Sequence, residues 1–369
     1  MMKKIFLILV CTSFASFLFS DQTIPQRGYE PGHSIEHYDI KGSYSMPARV
    51  DVTGAWDTYL TGSFTYWQTL ANDMYYGFYS NYHASENNIP ATQHKHFADF
   101  NFKFHPGFKV TLGHLSKYDN WNVLLRYTWM NIREKRATGN SLDDIFLFQP
   151  WTGNFIVPNG LVKTSGHWRV KNHVGDLEIG RPYYLGRMLI FEPHLGLKGF
   201  FVYQRMYTHM YQNIPGGVLS YWTWNKCNSW GVGGRTGCNM SWLLSSDWRF
   251  FGSPAFALAY QQYTLKRGHK REDRDYDSVD YKDKKYAVVP IVELALGMGY
   301  GSYFNNYNWH FDISASYEFQ VWFNQITMMA YAKSDSSYIF GANDYPTNNP
   351  YQPTNLMIHG LTVSAKLDF

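Results

Sequence analysis

Charged and histidine residues recur at alternate positions of apolar segments, and such residues share one face if the segments are β-strands. The set comprises Lys103, Lys109, Arg126, Asp176, Glu178, Glu192, His194, Lys198, Arg235, Glu293, His310, Asp312 and Glu318. A wider set adds Asp57, Arg169, Lys171, Lys366 and Asp368. Acids and bases are nearly balanced, so this face could line a hydrated, weakly selective pore. Alternatively, the charges pair with each other and close the interior, as in small barrels.

No catalytic motif accompanies these residues. The sequence contains no Gly-x-Ser-x-Gly elbow, phosphate loop or His-Glu-x-x-His zinc motif. The outer-membrane omptin proteases place acids and a histidine at the lip of a ten-stranded barrel, but no such set can be aligned here. His94, His96 and His105 are typical of polar surface rather than of a metal site. We therefore predict a protein that is not an enzyme and has no cofactor and no metal.

Two cysteines, Cys227 and Cys238, lie beyond the N-terminal leader. In one extended strand they would be about 36 Å apart, at about 3.3 Å per residue, so they cannot pair unless the segment bends back. They are therefore either free or separately paired thiols. An intermolecular disulfide in the oxidising envelope is the alternative.

Period-two alternation of polar and apolar residues predicts the elements that position the charged face. From Trp309 to Asn324 the odd positions are apolar or aromatic and the even positions are polar, with Trp322 as the exception. Ten strands are predicted in this way: Trp56–Tyr66, Ala98–Leu112, Trp121–Trp129, Trp168–Ile179, Leu189–Tyr203, Trp230–Trp242, Phe250–Thr264, Val288–Tyr300, Trp309–Asn324 and Leu361–Phe369.

Two of these strands carry a predicted irregularity. Pro106 lacks a backbone donor, and we expect a bulge there with Gly107 easing the bend. Near Gly175 the alternation changes phase, because His167, Arg169, Lys171 and His173 give way to Asp176 and Glu178. A glycine bulge at this position would explain the change.

Composition and the N-terminus place the chain in a membrane after export. Lys3 and Lys4 precede an apolar stretch that is too short to span a bilayer, so residues 1–20 are predicted to be a cleaved signal peptide. Residues 21–54 are predicted to form a periplasmic segment that plugs the lumen, adds strands or stays disordered, and residues 55–369 to form the barrel. Aromatic residues make up 19% and charged residues 17% of the chain, which suits strands that alternate between lipid and water.

The expected fold is all-β, a closed antiparallel transmembrane barrel of about ten, or else twelve, strands. A soluble sandwich would not need Trp and Tyr repeated near strand ends, and only a closed sheet satisfies every backbone group in hydrocarbon. Short connections are predicted near 116–120, 182–187, 245–247 and 301–308, and long ones near 68–97, 133–165, 206–228, 266–285 and 325–354. This asymmetry predicts short periplasmic turns, long external loops and both ends of the barrel in the periplasm.

Four segments resemble the Legionella-type major outer membrane protein family, which has relatives in environmental chlamydiae. They read PGFKVTLGHLSKYDNWNVLLRYTW, DLEIGRPYYLGRMLIFEPHLGLKGFF, WGVGGRTGCNMSWLLSSDWRFFGSPAFALAYQ and LTVSAKLDF. The resemblance covers Val52 to Phe369 and implies an abundant, porin-like barrel of the outer membrane without specifying a solute. His105 stands where relatives carry an acid, so any role of that acid is in doubt here. The terminal Phe369 resembles the signal that the barrel-assembly machinery reads.

The leading functional hypothesis is passive diffusion of small hydrophilic solutes through an outer-membrane barrel. The alternative is a surface adhesin or a structural envelope barrel without an open pore. Expected partners are outer-membrane lipid and lipopolysaccharide, the assembly machinery and small solutes, and a homo-oligomer is left open. The loop Lys266–Lys285 mixes acids and bases and is either solvated or binds a divalent cation or lipopolysaccharide phosphate. With 33 basic and 29 acidic residues, nucleic acid is not an expected partner.

Overall fold

The polar–apolar alternation forms strands throughout the part of the chain that the computed structural model describes. These residues are 48, 50, 52, 56–71, 74–81, 95–116, 119–139, 145–148, 162–185, 188–272, 278–329 and 351–369. Within them the strands are β1 (Thr58–Ala71), β2 (Tyr75–Asn81), β3 (Lys95–Asp99), β4 (Phe104–Leu115), β5 (Asn122–Gly139), β6 (Ile145–Phe148), β7 (Lys163–Gly180), β8 (Tyr183–Leu185), β9 (Leu189–Ile214), β10 (Gly217–Leu243), β11 (Trp248–Arg271), β12 (Ser278–Phe304), β13 (Trp309–Met329) and β14 (Tyr351–Asp368). No helix in these ranges is long and apolar enough to cross a membrane.

Ten antiparallel strands close into a barrel, as predicted. The ring runs β1, β4, β5, β7, β9, β10, β11, β12, β13 and β14, and β14 pairs with β1. Reciprocal backbone bonds between Thr58 and Phe369 fasten the end of this closure. The short β8 pairs with the start of β9, and β2, β3 and β6 form a separate three-stranded sheet. Closure leaves no free edge among the ten barrel strands, which is what a spanning sheet requires.

Side chains alternate between the two faces of the wall. On β13 the odd residues Phe311, Ile313 and Tyr317 are exposed, whereas the even residues Asp312 and Glu318 are buried inside. The same division holds on β4, β9 and β12, so a band of exposed apolar side chains surrounds a polar interior. This is the arrangement of a sheet with lipid outside and water-compatible groups inside.

The expected irregularities at Pro106 and Gly175 are wrong. Pro106 pairs regularly with Tyr66, and the ladder between β4 and β5 begins one residue later at Gly107, so the missing N–H interrupts no bond of that ladder. The β7 register is continuous through Gly175 on both sides. The odd residues of β7 face outward along the whole strand. The sequence pattern changes near Gly175 because, further from the short turns, polar residues such as His167 face outward and apolar residues face inward.

Further boundaries differ from the prediction, and the connection expected near 266–285 is shortened because β11 runs to Arg271 and β12 starts at Ser278. The strand expected from Ala98 is interrupted, because β3 ends at Asp99 and β4 begins at Phe104. Ala98 and Phe100 are consequently buried among other apolar residues and do not face lipid. The long loop expected near 206–228 is instead a hairpin, because β9 and β10 continue to a turn between Ile214 and Gly217.

Candidate functional site: the interior of the barrel

Six charged side chains from five strands form one ion-pair network inside the barrel. The Lys198 Nζ atom lies 2.7 Å from Asp176 Oδ1 and 2.8 Å from Glu293 Oε1. Arg235 bridges Glu293 Oε2 at 2.8 Å and Glu178 Oε1 at 2.6 Å. Arg126 adds a contact of 3.2 Å to the same Glu178 oxygen. Three carboxylates thus face three cations, which is the balance that buried charges require.

His194 extends this network, and Glu192 lies beside it. His194 Nδ1 is 3.4 Å from the second oxygen of Glu178. Glu192 accepts hydrogen bonds from the side-chain amides of Asn122, at 2.6 Å, and Asn239, at 3.1 Å. Amide donors therefore take the place of a cation at this carboxylate.

Smaller ion pairs surround the central network. Lys109 Nζ lies 2.5 Å from Glu318 Oε2. The guanidinium of Arg249 contacts both carboxylate oxygens of Asp312. Asp368 is bonded by His310 at 2.9 Å and by Lys366 at 2.7 Å. These pairs and the central network together leave most interior charges paired. Such an interior attracts neither cations nor anions strongly, because the electric field of each charged side chain is cancelled by its partner.

A polar cavity of about 560 Å³ lies among these groups. Its lining includes Pro182 and Asp247 of the short turns at one end and Trp67 and Trp322 at the other. The cavity therefore occupies the half of the barrel that carries the short turns. A volume of this size can hold several water molecules or a small polar solute.

Beyond the cavity the interior becomes apolar. We call this layer the apolar septum and define it by Trp67, Met130, Phe200, Ile291 and Trp322, each of which has 2% or less of its surface exposed. The rings of Phe200 and Trp322, from strands that are not neighbours, meet edge to face with centroids 4.9 Å apart. Side chains from β1, β5, β9, β12 and β13 thus meet across the lumen, as expected for a barrel of few strands.

A register shift on β13 adds polar crosslinks to the septum. The pairing of β13 with β14 slips between Trp322 and Ile326, and Gln325 is fully buried there. Gln325 accepts a hydrogen bond from Gln261 at 3.0 Å and donates one to Ser229 at 3.1 Å, while its carbonyl accepts from Gln204 at 2.9 Å. These bonds join β13 to β9, β10 and β11 across the interior.

The described residues of the connection between β1 and β4 pack on the far side of the septum. Tyr76 is fully buried, and its ring lies 5.4 Å from that of Phe100. Its hydroxyl is 2.5 Å from Thr138 Oγ1 on β5. Phe102 meets Trp168 edge to face at 5.6 Å. The apolar interior is therefore continuous from the septum to this connection.

Most of the predicted pore-lining residues do meet inside. The residues that line the cavity or join the network are Lys109, Arg126, Asp176, Glu178, Glu192, His194, Lys198, Arg235, Glu293, His310, Asp312 and Glu318. Lys103 does not join them. It is exposed just before β4, where the chain has left the barrel wall, and its backbone N–H donates to Glu134. Arg169 and Lys171 also lie elsewhere, on the outward face of β7, because the register does not shift at Gly175.

Both cysteines are free and buried on one strand, β10. Cys227 lies within the apolar interior, and Cys238 is 3% exposed. The two thiols are therefore not paired with each other, and an intermolecular disulfide stays a prediction.

The predicted signal peptide and most of residues 21–54 lie outside the described residues. The exceptions are Ala48, Val50 and Val52. Ala48 and Val50 line the polar cavity, and the Ala48 N–H donates to the Pro182 carbonyl at 3.2 Å. These two residues of the segment therefore lie at the cavity, and the fate of the rest of the segment stays a prediction.

The sequence reasoning missed Arg249 and the septum. Arg249 alternates with Phe250, Gly252 and Phe256 on β11, so the period-two test could have placed it inside. The anomalous Trp322 on a polar face was the available signal for the septum. In the described residues no group of three or more His, Cys, Asp or Glu side chains is arranged to hold a metal ion.

A closed ten-stranded antiparallel barrel with an exposed apolar band and a polar interior defines this chain as a β-barrel protein of the outer-membrane type. A family model described as Legionella pneumophila major outer membrane protein precursor matches residues 49–369. The chain therefore belongs to the Legionella major outer membrane protein family. No curated protein matches the chain.

The similarities to solved structures are distant. The outer membrane protease OmpT from Escherichia coli is 9% identical, with 87% of this chain and 98% of that chain covered and a TM-score of 0.33. A FadL homologue from Pseudomonas aeruginosa is 8% identical, with 85% and 89% covered and a TM-score of 0.27. The Pseudomonas putida toluene transporter TodX is 6% identical, with 84% and 89% covered and a TM-score of 0.23. At these values the similarities transfer no activity.

Proposed function

We propose that this protein is a structural barrel of the outer membrane whose interior is closed in its resting state. The observation that carries the proposal is the apolar septum, in which Trp67, Met130, Phe200, Ile291 and Trp322 are removed from solvent. Of the two roles expected from the sequence, this geometry favours the barrel without an open pore.

The septum opposes solute passage for two physical reasons. An ion or sugar that crossed it would lose its hydration without gaining polar partners, and unpaired polar groups cost several kcal/mol in such surroundings. The two septum tryptophans are also held by polar residues that line the cavity. Trp67 donates from its indole to Thr362 and lies under Lys109, while Lys198 lies 5.8 Å from the Trp322 ring.

Passive diffusion of small hydrophilic solutes is the second candidate function. The polar cavity of about 560 Å³ and its balanced charges favour it. Conduction would then require that the Trp67 and Trp322 side chains leave the lumen, and the connection between β1 and β4 would have to move with them.

Planar-bilayer recording on the refolded full chain tests the proposal. We expect the wild-type protein to be silent, whereas Trp67→Ala with Trp322→Ala should give stepwise openings. The matched control replaces Trp230 and Trp242 by Ala, because both are exposed on the outer wall. Heat-modifiable gel mobility establishes folding for every variant. Should the double septum variant not fold, Trp322→Ala alone takes its place, since each truncation costs about 3–5 kcal/mol.

Regular openings of the folded wild-type protein would overturn the closed-barrel proposal and favour diffusion. Openings in the Trp230 and Trp242 control would show that loss of large side chains, and not loss of the septum, creates the conductance. Silence of both the wild type and the folded septum variant would mean that the septum is not the barrier.

A further inference from the structure

Three arginines stand directly opposite one another on the outer wall. Arg133 on β5 pairs with Arg169 on β7, which pairs with Arg205 on β9. The same row continues over the next three strands with Lys226, Lys266 and Lys282. All six positions have the outward parity of their strands. We call Arg133, Arg169 and Arg205 the arginine row.

This arrangement is costly unless a counter-charge covers it, because like charges directly opposite in a sheet destabilise the pair. No Asp or Glu occupies an outward position on β5, β7, β9, β10 or β11. None of the three arginines forms an ion pair with an acid that the structure describes. Arg169 donates from Nε to the Asn131 side chain at 3.1 Å, which fixes its guanidinium without neutralising it.

The arginine row lies next to the apolar band, on the side that carries the long connections. Tyr127 and Leu177 lie closer to the short turns on β5 and β7, and both are exposed to the outside. On β9 the exposed Tyr203 is two residues from Arg205. Arg133 and Arg169 are six and eight residues from Tyr127 and Leu177 on their strands, so the row lies on the long-connection side of these exposed apolar residues.

We infer that the arginine row binds the phosphate groups of the glycolipid in the outer leaflet. A planar guanidinium matches two phosphate oxygens at once, and an exposed arginine at a headgroup boundary pairs with anions. Neighbouring strands are about 4.8 Å apart, so the three arginines span about 10 Å. A headgroup that carries more than one phosphate can contact several of them, whereas a phospholipid offers one phosphate. The inference rests on the barrel and its predicted orientation, and not on whether the lumen conducts.

Purified bisphosphorylated lipid A, added to the refolded full chain in non-ionic detergent, tests this site. We expect it to raise the urea midpoint of unfolding. The variant with Arg133→Gln, Arg169→Gln and Arg205→Gln should bind it about a hundredfold more weakly, taking each cation near an anionic surface as worth about fivefold. Without lipid the same variant should be more stable than the wild type, since its like-charge repulsion has been removed. The triple variant should thus be less stable than the wild type with lipid A and more stable without it. A merely structural role of the arginines would not produce this reversal.

The matched control removes three cations elsewhere, with Lys103→Gln, Arg136→Gln and Arg181→Gln, and should bind lipid A within about twofold of the wild type. Dephosphorylated lipid A should not shift the midpoint, and phosphatidylglycerol should shift it less than lipid A at equal concentration. Equal loss in both triple variants would overturn the site, because net charge alone would then explain binding. An equal shift by phosphatidylglycerol would overturn the assignment to the glycolipid.

Discussion

Replacing Glu293 by Gln tests whether the interior network holds the barrel together. Glu293 is the shared partner of Lys198, at 2.8 Å, and of Arg235, at 2.8 Å. The change leaves two carboxylates facing three cations in a part of the barrel where Lys198 is 2% exposed. Breaking a buried pair by removing one partner costs about 3–5 kcal/mol, because a charge stays buried without compensation. We expect a loss of unfolding free energy in this range.

The measurement is urea unfolding of the refolded protein in detergent micelles, followed by tryptophan fluorescence. Adding Lys198→Met to Glu293→Gln removes one charge of each sign and restores the balance. The double variant should therefore be more stable than the sum of the single changes predicts, by at least about 1 kcal/mol. Asp119→Asn, which breaks an exposed pair with Arg181, serves as the control and should cost at most about 1 kcal/mol. The reasoning fails if Glu293→Gln lowers the unfolding free energy no more than Asp119→Asn does. It also fails if the loss in the double variant equals the sum of the losses caused by Glu293→Gln and Lys198→Met alone.

Two further experiments test the packing of the barrel. A Cβ at Gly233 would lie 2.1 Å from the Leu258 carbonyl oxygen on the neighbouring strand, whereas one at Gly234 would meet nothing within 4 Å. Gly233→Ala should therefore lower the unfolding free energy by about 1–3 kcal/mol and reduce the yield of heat-modifiable protein. Gly234→Ala should change neither quantity. Equal yields of the two variants would contradict the packing argument. Cys227 and Cys238 are buried, so a maleimide should label neither thiol in the folded barrel and both in urea, as mass spectrometry can establish. Labelling of Cys227 without denaturant would mean that the apolar interior opens.

The ten strands were predictable because lipid imposes one rule on every residue of the outer face. Residues such as Phe311, Ile313 and Tyr317 must be apolar, and their alternation with Asp312 and Glu318 fixes both the strand and the face. The predicted interior charges met for the same reason. Their partners were not predictable, because Lys198 on β9 reaches Glu293 on β12 through the stagger of the whole barrel, which no local pattern encodes.

The failures at Gly175 and in the 206–228 segment share one cause. The prediction assumed that an apolar side chain faces outward along the full length of each strand. That assumption holds only where lipid covers the wall. Beyond the apolar band, β7 turns Arg169 outward and Val170 inward, so an unbroken strand has the sequence pattern of a strand that changes phase. The same polarity made the hairpin between β9 and β10 read as a loop.

This exchange of polarity along the barrel connects the septum with the arginine row. In the lipid-covered half the outer face must be apolar, so polar groups are confined to the interior and pair there. Beyond lipid the outer face can carry charge, and the interior can bury Val170, Met206 and Leu265 as a soluble barrel would, at about 25 cal/mol per Å² of apolar surface. The septum lies where the interior becomes apolar, and the arginine row lies three to five residues further along β5 and β9 on the outer face. A barrel built in this way gains stability from closing its lumen, and any open state must give up that buried apolar area.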